Sequence, residues 1–559
     1  MIAVHKKAEG PQVTPTAMPL RDPHEVMRLS TLGAMHFSRL SFSRSMIRTM
    51  RREGWKIRRI VFDLDYDGFG HAIYRVDMGG RVCSLVAFSH YLPPDERIDR
   101  VIATAWDTSY VLYDGVPDVA EIARLRAAVP RQEAARYSER ELILARANRS
   151  VRLFDETVAA LAAGGQPDRN MIRETGYFLR TSAVYGNGKF GIADRARVAA
   201  IPGLETAFAA EMLTVWLIRA FSADLVEHCA RMRAPATAAV LEPGIRRDIG
   251  IGNSTGLGMA PFLIRHPVLL DAWVRARETA LARVRALPTL TAPARALLQQ
   301  FVALSQHKAG FWVTSDAAQS EAIRKLREDL PQLAAVAAAA VTPDEVFRRA
   351  GAELGIEASE LTISLLIDAH PALSDDLPIT MVAEEEASAL SGDLSCADLR
   401  RRIGQCYDWA LALDFTAPGE FARFWYTSQE KLEPRIGWRG DDEGEELAQP
   451  LGIAWEIRYL ADRLAVLPGD LPVWRIAQDH PELRHSLRRV EIAAGHGYGE
   501  LHENLLGTAH RPSDLMRCKL SFLGCEFFDP ASDLSVKVRF FHGAPFPDDL
   551  SPEAGDGMW

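Results

Sequence analysis

The chain has 559 residues, of which 48 % are hydrophobic and 25 % charged. That is ordinary globular composition, and it excludes a disordered chain, a collagen-like repeat and a disulfide miniprotein. Lys plus Arg number 65 against 74 Asp plus Glu, a formal net charge of −9, which argues against a protein built around nucleic acid, because phosphate binding needs a dense basic footprint.

Residues 1–56 read as a polar, Pro-containing arm followed by a basic helix. Arg39, Arg44, Arg48, Arg51, Arg52, Lys56, Arg58 and Arg59 surround a single Glu53, and Leu40, Met46, Ile47 and Met50 supply a helix-compatible apolar stripe. Residues 57–117 read as an antiparallel β-sheet domain of four to six strands. Ile57–Phe62, Ala72–Asp77 and Arg81–Phe88 are strand-like, and Gly79-Gly80 between the last two is a hairpin signal. Val101–Thr104 and Tyr110–Tyr113 add short strands.

Residues 118–436 read as a helical body with Gly-rich loops. Apolar residues recur at helical spacing over Val119–Val129, Ser138–Leu161, Leu204–Met232 and the segment around Trp273, and again over Pro293–Gln306, Ser320–Leu330, Pro343–Ala352 and Ala397–Leu413. Residues 437–559 read as C-terminal helices, Ile453–Val466 and Pro481–Ala494, and closing strands, Lys519–Phe522 and Ser535–Phe541, that complete the sheet. The expected fold is therefore α+β, an antiparallel sheet domain packed on a large, mainly α-helical body.

Six dispersed cysteines, none in CxxC spacing, fit a reducing compartment and argue against a zinc ribbon. No apolar run approaches the ~20 residues that span a bilayer, and Met1–Leu20 has no apolar core of leader length. The expectation is a cytoplasmic protein without a membrane span; a homo-oligomer is left open.

Two glycine-rich segments invite a ligand. Gly186-Asn187-Gly188-Lys189-Phe190-Gly191 spells GxGxxG, which means dinucleotide binding only inside a βαβ unit, and Met171–Thr181 before it is not strand-like. Arg180, Tyr185, Asn187 and Lys189 nevertheless concentrate polar and cationic groups where glycine lets a ligand approach the backbone. The second segment, Gly250–Gly258, carries Asn253, Ser254 and Thr255 and runs into Met259-Ala260-Pro261. It reads as a loop before a helix start, where free N–H groups favour anions. This short stretch is similar to the flexible Gly-Ser-Ser-x-x-Met-Pro loop of the aspartase/fumarase lyases, although no Lys or Asn follows as in those enzymes.

Lys431 and Arg435, in a run of alternating charge, are candidate substrate clamps, and His496 and His502 candidate general acid–base groups. HExxH is absent, and no spacing specifies a metal or a cofactor. Ile60–Asp65 resembles the first motif of haloacid-dehalogenase phosphatases, but Tyr66 replaces that family's Gly and the chain continues into a hairpin, so Asp67-Gly68 is expected to be a turn. The resulting expectation is an enzyme acting on a small anionic metabolite, of lyase or transferase type. The alternative is a non-catalytic binding or assembly protein using the basic 39–59 helix.

Overall fold

The computed structural model describes residues 18–93, 95, 106–130, 138–149, 151–181, 198–206, 208–256, 267–310, 312, 314, 316–381, 392–414, 425–428, 434–436, 445–447, 451–501, 512–532 and 535–550. Helices α1 (Pro23–Val26), α2 (Leu29–Ala34) and α3 (Phe42–Arg52) precede strands β1 (Lys56–Leu64), β2 (Gly70–Asp77), β3 (Val82–Ser89) and β4 (Thr108–Asp114). Next come α4 (Val119–Ala128), β5 (Glu141–Asn148), α5 (Arg152–Ala162), α6 (Arg169–Glu174), β6 (Tyr177–Thr181), α7 (Ala209–Arg233), α8 (Pro243–Asp248) and β7 (Gly250–Gly256). A helical body follows, formed by α9 (Pro267–Arg285), α10 (Ala292–Ala309), α11 (Ala317–Ala339), α12 (Pro343–Glu353) and α13 (Ile356–Ala369). Helices α14 (Cys396–Cys406) and α15 (Asp408–Ala412) lead to β8 (Trp425–Ser428), β9 (Pro434–Ile436) and β10 (Glu445–Leu447). The chain ends on α16 (Leu451–Ala465), α17 (Val473–Asp479), α18 (Arg484–Gly495), α19 (Pro512–Leu523), β11 (Cys525–Ser532) and β12 (Ser535–Phe540).

The main sheet has nine strands in the order β1-β2-β3-β4-β5-β6-β7-β12-β11, so the fold is α+β. Every pairing in it is antiparallel except β6 with β7. The C-terminal strands complete this sheet by docking β12 on β7, with Arg539 opposite Gly252. A separate small antiparallel sheet has the order β10-β8-β9.

Side chains alternate across the sheet. Tyr74, Tyr110 and Ala145 face α7, whereas Ile73, Val111 and Leu144 join Leu125 and Val129 beneath α4. Helix α7 is buried on most sides, as its nearly continuous apolar sequence requires. Its Phe221 ring lies 5.8 Å from Tyr110 and 6.4 Å from Phe62, tying the helix to three strands through Tyr74 as well. Among the described residues, no helix is long and apolar enough to cross a membrane.

Several sequence expectations hold. The Gly79-Gly80 turn joins β2 to β3 with both glycines at positive φ. Asp67-Gly68 lies in the turn between β1 and β2, where Asp65 Oδ1 accepts from the Asp67 and Phe69 amides. Other expectations need correction. Residues 141–148, expected in a helix, form β5, because a strand buried on both faces presents a continuous apolar run that periodicity cannot separate from a helix. The same ambiguity hid the helical state of Lys519–Phe522, which belongs to α19 and is buried throughout. The arm is packed from residue 18 onward: Val26 and Met27 are fully buried, and Arg21 bridges Glu278 and Glu360.

Candidate functional site

The sheet seam at β7 and β12 opens into a cavity of about 340 Å³. Helix α6 contributes Arg169, Ile172 and Arg173, and the end of α8 contributes Asp248. Helix α10 presents Leu304, His307 and Lys308, while β12 and the turn after it present Arg539, His542 and Gly543. Arg169 and Arg173 are one turn apart, as are Leu304 and Lys308, so each pair lies on one helical face. Cations therefore dominate the charged lining.

Lys308 is the least satisfied of these groups. Its Nζ is buried and makes no hydrogen bond among the described residues. Its ammonium lies 5.6 Å from the centre of the Phe37 ring, a partial compensation. Burial pushes its pKa down, and Arg539 and Arg44 add to that effect while Glu526 opposes it.

Behind the lining lies a buried charge cluster. Glu526 Oε2 contacts His542 Nδ1 and lies 3.6 Å from Arg539 Nη2. Burial alone would raise the Glu526 carboxyl, but His542, Arg539 and Lys308 hold it well below the usual carboxylate range. Burial also lowers His542, against the attraction of Glu526 and with the help of Arg539 and Lys308. His542 Nε2 points toward Asp248, 4.0 Å away. Arg539 crosses Gly176, where φ is +69° and an added Cβ would overlap its Cδ and Nη1. Arg219 holds the turn that carries His542: its guanidinium donates to Ile249 O at 2.6 Å and Ala544 O at 3.0 Å and stacks 3.9 Å from the Phe546 ring centre.

The residues expected from sequence are placed differently. Arg180 lies on β6 and donates to Tyr177 Oη at 3.0 Å. It pairs with Gly252, which on its other side pairs with Arg539, so the strand leading to the first glycine-rich segment lies next to the second. Asn253, Ser254 and Thr255 are on strand β7, not in a capping loop. Glycines are needed there for close approach: a Cβ on Gly250 would stand 2.5 Å from Phe540 O, and one on Gly252 would overlap the Tyr177 ring. Residues 177–181, read as not strand-like, form β6, parallel to β7.

Tyr185, Asn187, Lys189, Lys431 and His502 lie outside the described residues, and Arg435 is on β9. His496 Nδ1 lies 3.3 Å from Asp271 Oδ2, next to the Tyr498 amide that donates to Asp271 Oδ1 at 3.0 Å. It joins the C-terminal helices to α9 and does not line the cavity. Among the described residues, no group of three or more His, Cys, Asp or Glu is placed to hold a metal ion.

Sequence reasoning missed Lys308, Arg539, His542 and the Arg169/Arg173 pair. The available signals were faint: a basic residue inside an apolar strand and two arginines at helical spacing. Lys308 stands in the last turn of α10, where a cation ordinarily completes a helix C-terminus. Comparison with protein-family models, with curated proteins and with solved structures gave no match.

Proposed function

We propose that this chain binds a small anionic metabolite in the cavity at the β7–β12 seam. The observation that carries the reading is Lys308: its side chain lines a cavity whose charged lining is mainly cationic, and its Nζ is buried without a hydrogen-bond partner among the described residues. A buried unpaired charge is costly, and a bound anion would remove that cost with charge-assisted hydrogen bonds. The alternative use of the 39–59 segment as an assembly surface has less to draw on. Arg39 and Arg44 are buried and paired with Asp375 and Asp368, 2.7 and 2.8 Å away.

A specific observation favours an enzyme over a simple binder. An ionised Glu526 against His542 Nδ1 supports the tautomer whose Nε2 can accept a proton near the cavity. On this reading His542, rather than His496 or His502, would take the acid–base role of a lyase or transferase reaction. Free thiols at all six cysteines support a reducing, cytoplasmic setting.

Isothermal titration with inorganic phosphate and with acetate tests the binding reading. Saturable binding that Lys308→Met abolishes is the expected result. Equal heats for wild type and variant, or none for either, would refute it.

A further inference from the structure

The two ring nitrogens of His542 have different surroundings. Nδ1 is buried against the Glu526 carboxylate. Nε2 makes no hydrogen bond among the described residues, and the Asp248 carboxylate stands 4.0 Å from it. The ring lines the cavity and its side chain is 14 % exposed, so with Nδ1 sealed it is the Nε2 edge that meets the cavity. A carboxylate against Nδ1 favours the tautomer that keeps its proton there and leaves a lone pair on Nε2. The turn that carries the ring is fixed: the Gly543 amide donates to Arg247 O at 2.8 Å, and Arg219 donates to Ala544 O at 3.0 Å. An imidazole held this way is a nucleophile as well as a base.

The charges around the ring favour a negative group on it. Arg539 and Lys308 both disfavour a positive charge on His542, and the same field stabilises an anionic substituent there. Neither cation has to touch the ligand: the Lys308 ammonium is sealed from the cavity, and Arg539 is 2 % exposed. Glu526 offsets the positive charge that the ring itself acquires on substitution. Asp248, 52 % exposed, opposes the anion. At about 30 Å³ per water, about 340 Å³ has room for roughly eleven, enough for a donor the size of acetyl phosphate.

We infer that His542 is a phosphoryl acceptor, whose Nε2 takes the phosphoryl group of a small acyl phosphate and holds it as phosphohistidine. This rests on the anion-binding reading above and makes the transferase chemistry a phosphoryl transfer. The Nε2 lone pair attacks phosphorus, and the N–P bond forms as the P–O bond to the acyl group breaks. The carboxylate leaves with that bond's electron pair. The Nδ1 proton stays, so the ring becomes cationic beside Glu526 while the transferred group keeps its negative charge.

The test is incubation of the full chain with acetyl phosphate at neutral pH, then intact mass and peptide mapping under conditions that preserve N–P bonds. Inorganic phosphate binding is measured in parallel by calorimetry. One phosphoryl group, on His542 and removed by acid, is the expected result, and His542→Gln should lack it. Glu526→Gln should slow labelling about tenfold or more, because the carboxylate that sets the tautomer is gone. Asp248→Asn, an exposed change, should speed it. The wild-type map and Asp248→Asn decide the matter even where a buried variant misfolds. Label spread over several histidines, label that survives His542→Gln, or a rate unchanged in both carboxylate variants overturns the inference. Saturable phosphate binding without any label overturns it and leaves the anion reading standing, and neither binding nor label overturns both.

Discussion

Replacing Lys308 with methionine should make the unliganded protein more stable and the binding protein useless. Methionine keeps most of the stem and removes an ammonium that is buried without a hydrogen bond among the described residues. Leaving such a donor unsatisfied costs about 1–3 kcal/mol, more when it is charged. The Phe37 ring, 5.6 Å from Nζ, returns about 0.5–1 kcal/mol. The variant should therefore gain about 1–2 kcal/mol, read as a higher denaturation midpoint with an unchanged slope in urea.

The pH dependence separates this account from a simple packing effect. Burial lowers the Lys308 pKa below its ordinary 10.5. Between the lowered value and 10.5 the unfolded chain binds more protons than the folded one, so wild-type stability rises with pH across that window. The Met variant lacks this contribution. Anion binding needs the ammonium and runs the opposite way, weakening as pH rises through the same lowered value. Ligand at a hundred times its Kd should add about 2.7 kcal/mol to the wild type and nothing to the variant. A variant less stable than wild type that still binds phosphate would refute the reasoning.

Other sites give equally direct expectations. Gly176→Ala places a Cβ on a left-handed residue and into Arg539; it should cost at least about 1–2 kcal/mol in chemical denaturation and weaken phosphate binding in calorimetry. Glu357 is pushed up by burial, but Arg517 and then His36 hold its pKa at about 2 rather than 4.5. At about 1.4 kcal/mol per pH unit that is about 3 kcal/mol of stability, present above pH 4.5 and lost as pH falls toward 2. Denaturation curves of Glu357→Gln should therefore lie below wild type at pH 7 and converge with it in acid. Burial lowers Lys519 to about 7 against the pull of Glu211. Lys519→Met should stabilise the protein below pH 7, and that gain should fade between pH 7 and 10.5, as followed by thermal melting at several pH values.

Local chemistry was legible where a single segment decides its own conformation. The Gly-Gly turn at residues 79 and 80, the Asp67-Gly68 turn and the Pro-led starts of α9 and α12 all follow from a few neighbouring residues. Long amphipathic helices were equally readable. The errors fell on short, fully buried stretches such as Glu141–Asn148 and the end of α19, where strand and helix bury the same apolar residues. The glycines of β7 were misread for a related reason. They read as a loop before a helix start, whereas they admit the Phe540 carbonyl and the Tyr177 ring from neighbouring strands, and neither partner is close in sequence.

The cavity is the extreme case of that non-locality. Its groups come from α6, the end of α8, α10 and β12, separated by more than 350 residues of chain. They meet because β12 closes the sheet on β7, at the one place in the described sheet where strand order leaves the chain order. Arg219 then holds the turn after β12 through backbone carbonyls on both sides of that seam. Docking of the C-terminal strands thus builds the sheet edge and the cavity lining together. Arg539 reaches its place over Gly176, and His542 reaches Glu526, only once β12 is paired. A chain lacking β11 and β12 would keep the α7 contacts of the earlier strands but lose Arg539, His542 and Glu526 together. Folding of the last strands and, on the proposed function, competence to bind an anion should therefore appear as a single event.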